Sequence, residues 1–82
     1  MATVYIPALL HSLTGGRSEF EFEGATVQEV MDHLETACPG LRDRLLVPNV
    51  SIAIDGEITP LGVRERVGPH SEIHFIVAVR GG

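Results

Sequence analysis

One segment constrains this chain more than any other: Ala25 to Gly40, ATVQEVMDHLETACPG. Both of its ends are signed as a helix. Thr26 is placed to cap the first turn. Glu29, three residues on, completes the capping-box pattern, in which two side chains satisfy backbone N–H groups orphaned at a helix start. Val27, Val30, Met31, Leu34, Ala37 and Cys38 fall at helical spacing on one stripe, and Gln28, Asp32, His33 and Glu35 face outward. Pro39-Gly40 stops the helix. A helix with one apolar face must lie on a sheet.

The rest of the chain supplies that sheet. TVYIPALL begins as a strand, with Val4 and Ile6 on one face and Thr3 and Tyr5 on the other; Pro7 marks a strand end or a sheet edge. Gly15-Gly16 reads as a turn. SEFEFEG alternates strictly, Phe20 and Phe22 inward and Glu19, Glu21 and Glu23 in water, so the first two strands form a hairpin with a long loop. GLRDRLLVP holds a short helical turn. In NVSIAID, Val50, Ile52 and Ile54 share a face, and Asp55-Gly56 supplies the positive φ angles of a tight hairpin turn. EITPL returns as a short strand interrupted by Pro60, and GVRERVGPHS reads as a loop. EIHFIVAV is nearly continuous in apolar residues and predicts a central strand. The order strand, strand, helix, strand, short strand, strand gives an α+β layer, a β-grasp: a mixed sheet of four to five strands with one main helix across one face.

The last strand sorts its side chains by period two. Ile73, Phe75, Val77 and Val79 lie under the helix; His74, Ile76 and Ala78 take the other face, where an open sheet makes a docking patch. Residues 1–79 are expected to form the domain and 80–82, Arg-Gly-Gly, a flexible tail.

Composition closes several alternatives. The 82 residues make one domain, 44% hydrophobic and 21% charged, with no apolar run long enough to span a membrane. The first residues lack a basic start and a small-residue cleavage site, which predicts mature sequence. One cysteine, Cys38, forms no internal disulfide, and this fits a reducing cytoplasm; on the apolar stripe it reads as a buried small hydrophobe. A net charge of −5 argues against sequence-independent binding to nucleic acid. His11, His33, His70 and His74 lack metal-ligand spacing, and neither a Ser-His-Asp pattern nor a phosphate-binding glycine motif is present. All six basic residues are arginines, so the chain has no lysine amine to attack an activated acyl group.

Several features together carry a resemblance over essentially the whole length: the element order, the helix start G-x-T-V-x-E-V at Gly24 to Val30, the turn I-D-G-E at Ile54 to Glu57, and the closing R-G-G. The chain resembles the MoaD/ThiS family of ubiquitin-like sulfur carriers. IPALLHSLTGG and LETACPGLRDRL are similar to the carriers that serve cysteine synthase, and HFIVAVRGG to the end of ubiquitin. Two departures stand out: PHSEI precedes the last strand where family members often have G-D-E-V, and Val77-Ala78-Val79 replaces prolines before the tail.

The resemblance implies a function for the tail. An E1-like adenylating enzyme, using MgATP that the carrier itself does not bind, would activate the Gly82 carboxylate. A sulfur donor of rhodanese or cysteine desulfurase type would leave a thiocarboxylate there, and a synthase would accept the sulfur. Gly81 and Gly82 would let the tail thread a narrow channel where a Cβ obstructs close approach. Arg80 would pair with a carboxylate at the channel mouth. His74, Ile76 and Ala78 would dock on the partner. The chain would thus be a substrate of enzymes and not an enzyme. Cysteine, molybdopterin, the thiazole of thiamin and a specialised metabolite all remain open as sulfur acceptors. A covalent protein modifier and a non-covalent interaction domain remain as alternatives.

Overall fold

A computed structural model describes residues 1–78. The chain runs β1 (Ala2–Tyr5), a 3-10 helix (Ala8–Thr14), β2 (Glu19–Phe22), α1 (Val27–Ala37), α2 (Leu41–Leu45), β3 (Val50–Ile54), β4 (Glu57–Ile58), a 3-10 turn (Gly62–Arg64) and β5 (Glu72–Val77). The five strands form one sheet in the order β2-β1-β5-β3-β4. β1 and β5 are parallel, and the other neighbours are antiparallel. This is the expected β-grasp, with β5 at the centre. A strand flanked on both sides needs apolar residues on its covered face and no proline, and EIHFIV meets both demands.

The helix forms where its signals stand. The Thr26 hydroxyl accepts from the backbone N–H of Glu29 at 3.3 Å, and the Glu29 carboxylate accepts from the N–H of Ala25 at 3.4 Å. Val27, Val30, Met31 and Leu34 are sealed from solvent against Val4 and Ile73 of the sheet. Ala37, expected on the same stripe, is exposed, and Cys38 is half-buried. The core at that end is completed instead by Leu41 and Leu45 of the fully buried face of α2. The Glu35 carboxylate accepts from the N–H groups of Gly40 (3.0 Å) and Arg42 (3.3 Å), which ties the start of α2 to α1 and explains why Glu35 is half-buried. Arg42 also pairs with Asp32 at 2.7 Å on the outer surface.

Pro7 ends β1, yet β1 lies second in the sheet and is no edge. The connection to β2 winds into a 3-10 helix where only a loop was expected. The Thr14 hydroxyl holds it at its end, bonding to the carbonyls of His11 and Arg17 at 3.0 and 2.7 Å. The Asp55-Gly56 turn has φ of 50° and 88°, as the hairpin requires. The stretch read as a loop after β4 also pairs: Val27 donates to the Glu65 carbonyl and Val67 to that of Ala25, so the helix start is stitched to the run into β5.

Candidate docking face and tail root

The helices cover one face of the sheet and leave the other open. Strand registers place its side chains in rows. Glu19, Tyr5, His74, Ala53 and Ile58 lie side by side across all five strands. Glu21, Thr3 and Glu72 form the next row on one side, and Ile76 beside Ser51 stands on the other. Tyr5 and His74 stack face to face, centroids 4.3 Å apart and planes 5° from parallel. Ala53, small and 4% exposed, sits in the dip between His74 and Ile58, while Ile58 is 62% and Ile76 47% exposed. The face is therefore divided. Its β2 side is carboxylate-rich, and its β3 and β4 side, toward Ala78, is apolar.

Electrostatics follow the same division. On this face the strands carry Glu19, Glu21 and Glu72, all on the β2, β1 and β5 side, and no arginine. Arg17 lies off this face, its guanidinium 4.3 Å over the Phe20 ring. Partial burial raises the Tyr5 phenol above its ordinary value of 10.0, and Glu72, Glu19 and Glu21 push the same way by disfavouring a phenolate among them. His74 Nε2 stands 3.8 Å from a Glu72 oxygen.

The tail has a firm root. The Ala78 N–H donates to the Asn49 carbonyl at 2.8 Å, one residue beyond the last strand pair, Val50 with Val77. Of the residues singled out from sequence, His74 and Ile76 stand two residues apart on the open face of β5, and Ala78 follows one residue past its end, exposed and tied by its backbone to Asn49. Arg80, Gly81 and Gly82, the expected flexible tail, lie outside the described residues, as does Val79. Sequence reasoning did not nominate Tyr5, Ala53 or Ile58. Tyr5 was legible as a side chain on the face away from the helix, but its stacking on His74 depends on a register that no single strand reveals. Among the described residues no group of three His, Cys, Asp or Glu side chains converges as a metal site, and no helix is long and apolar enough to cross a membrane.

The ThiS family model matches residues 4–82. Three solved structures share the fold over nearly all of both chains. A chain of the BexX/CysO complex of Amycolatopsis orientalis is 29% identical over 100% of each chain, with a TM-score of 0.92. CysO of Mycobacterium tuberculosis is 26% identical over 96% of this chain and 100% of its own, with a TM-score of 0.87. SAMP1 of Haloferax volcanii is 25% identical over 99% and 98%, with a TM-score of 0.75. A search of curated proteins found no match. With its β-grasp sheet, its open face and a family match that runs through Gly82, the chain belongs to the ThiS family of ubiquitin-like sulfur carriers.

Proposed function

We propose that this protein carries sulfur as a thiocarboxylate on Gly82. The observation that carries the reading is the family match extending to the last residue, on a chain whose central strand leads from a fixed root at Ala78 into Arg80-Gly81-Gly82. In this reading a Gly82 carboxylate oxygen attacks the α-phosphorus of MgATP held by an E1-like enzyme, and pyrophosphate leaves. A persulfide or sulfide sulfur, supplied by a rhodanese or cysteine desulfurase type donor, then attacks the acyl carbon. AMP leaves. With sulfide the product is the thiocarboxylate directly. With a persulfide it is an acyl disulfide, whose S–S bond a second thiol must cleave, forming a disulfide with the donor and releasing the thiocarboxylate. The sulfur then stays on the carrier until a synthase takes it. Residues 79–82 span at most about 14 Å when extended, enough to carry the reacting carbon into a partner while the sheet stays outside.

The divided face suits the partner's surface. An apolar patch at Ile76, Ile58 and Ala78 next to the tail root would take the central contacts. The Glu19, Glu21 and Glu72 side would favour a basic rim and speed encounter. His74, held against Tyr5, would be preorganised at the boundary. Arg80 would meet a carboxylate near the channel. That a CysO structure exists as a complex with BexX supports the expectation that the carrier works by docking on other proteins. The acceptor of the sulfur stays open among cysteine, molybdopterin, a thiazole and a related metabolite.

Deleting Gly82 tests the reading. No described core contact is lost, so the melting temperature should stay within about 2 °C of wild type. ATP-dependent thiocarboxylation should vanish, because the reacting carbon moves by one residue and such steps depend on orientation. A truncated chain that is sulfurated at the wild-type rate would sink the proposal.

A further inference from the structure

The two edges of the sheet differ. β4 is two residues long, and Pro60, which has no N–H to donate, follows close behind it. β2 is four residues long and carries no proline. The Ser18 carbonyl accepts from Ile6 of the β1 segment at 2.8 Å. In the alternating antiparallel pattern, Phe20 and Phe22 therefore also turn their backbone groups toward β1. The N–H and C=O groups of Glu19 and Glu21 point the other way, along the free edge. A row of such groups is a template for a further strand.

The two sides of this edge offer different chemistry. On the open face stand the exposed carboxylates of Glu19 and Glu21. On the helix side runs an aromatic ladder. Phe20 and Phe22 stack with centroids 5.8 Å apart, and half-buried Phe22 stacks on the exposed His33 of α1, also at 5.8 Å. The Arg17 guanidinium lies over the Phe20 ring at 4.3 Å. A groove lined in part by Arg17, Glu19, Phe20 and Glu21 follows the edge.

We propose that the β2 edge is a second docking site, which takes an extended segment of a partner protein as an added strand, with basic side chains over Glu19 and Glu21 and apolar side chains against the Phe20–Phe22 ladder. An extended segment sends alternate side chains to opposite faces, so one strand can satisfy both sides at once. A second copy of this chain fits badly. Antiparallel pairing of two β2 edges would set Glu19 and Glu21 of one copy against those of the other, and like charges directly opposite are destabilising. The carboxylates that refuse a copy favour a basic strand. Arg17, on the ladder, disfavours a basic residue on the helix side and so selects which alternate residues carry the charge. This edge lies across the sheet from Ile58, and its use does not depend on sulfur at Gly82.

The probe is a short blocked peptide alternating lysine and valine, added to the isotope-labelled chain, with amide shifts and hydrogen exchange read residue by residue. At saturation the Glu19 and Glu21 amides should exchange at least about tenfold more slowly. Methylating one alternate set of peptide amides should abolish binding and methylating the other should spare it, because only one set faces the edge. A peptide with glutamate in place of lysine should not bind. The double variant Glu19→Lys, Glu21→Lys changes two exposed positions, and circular dichroism checks its fold. It should reverse the preference and favour the glutamate peptide at least about tenfold. The proposal is overturned if both methylated peptides bind alike, if the Glu19 and Glu21 amides stay unprotected beneath bound peptide, or if the folded double variant keeps the wild-type preference. It is also overturned if those amides are protected in the free chain in a concentration-dependent way, since a second copy then holds the edge. None of these readouts involves Gly82, so failure of the carrier reading would appear separately, as absent thiocarboxylation of wild type by its adenylating enzyme.

Discussion

The rings of Tyr5 and His74 lie parallel to within 5°, 4.3 Å apart, across the junction of the two parallel strands at the middle of the sheet. This pair joins the acidic side of the open face to its apolar side. It also gives the face a spectroscopic handle, because Tyr5 is the one tyrosine of a chain without tryptophan.

The phenol titration of the folded protein, read by ultraviolet absorbance, should have its midpoint above 10.0, since partial burial and then Glu72, Glu19 and Glu21 all disfavour the phenolate. His74→Ala should move the midpoint back toward 10.0 by uncovering the ring. A raised folded value means that Tyr5 contributes fully to stability below its unfolded value, and that this contribution is lost as pH rises through the folded value. Tyr5→Phe should flatten stability in that alkaline window alone. A wild-type midpoint at or below 10.0 would contradict the assigned environment.

Gly24 and Gly68 should answer differently to alanine. At Gly24 a Cβ would meet Val30 Cγ2 at 3.0 Å, Glu29 Cβ at 3.1 Å and the Val30 nitrogen at 3.2 Å, all in the first turns of α1, where the cap leaves little room to yield. At Gly68 the nearest atom is Ser71 Oγ at 3.7 Å, an ordinary contact. Gly24→Ala should cost about 1–3 kcal/mol, a drop of roughly 4–8 °C in melting temperature per kcal/mol, while Gly68→Ala should be neutral or slightly stabilising. Equal melting temperatures for the two variants would show that the helix start relaxes freely.

Ile76 and Ile73 stand on opposite faces of β5, 47% and 0% exposed. Ile76→Asp should fold, by circular dichroism, and bind the adenylating enzyme about thirtyfold more weakly, the equivalent of about 2 kcal/mol. Ile73→Asp should not fold, because a carboxylate would enter the core beneath the helix. Wild-type affinity in a folded Ile76→Asp protein would remove this residue from the interface.

Much of this architecture was legible in the chain because side-chain direction follows directly from backbone period. Alternation placed Phe20, Ile73 and Phe75 inward and Ile76 outward, and the Thr26–Glu29 signal located the helix start. What escaped the sequence depends on neighbours. The segment ALLHSLT carries leucines that periodicity would bury, yet Leu9 is 80% and Leu13 44% exposed, and the 3-10 helix is held by bonds at Pro7 and Thr14 instead. Ala37 had helical spacing but lost its place in the core to Leu41 and Leu45, which arrive from another element. Ala53 was assigned to no apolar face, and it is buried because His74 and Ile58 flank it across two strand pairs. The candidate face was read along one strand, as His74, Ile76 and Ala78; its width, with Tyr5 and Ile58, is a property of five registers.

The central claim is that Gly82 takes up sulfur, and intact mass tests it most directly. The wild-type chain is incubated with MgATP, its E1-like adenylating enzyme and a persulfide or sulfide source. The account predicts that the whole population gains the mass difference between sulfur and oxygen, that fragmentation places the change on Gly82, and that omitting ATP abolishes it. An unchanged mass, or conversion only into conjugates with other proteins, would contradict it.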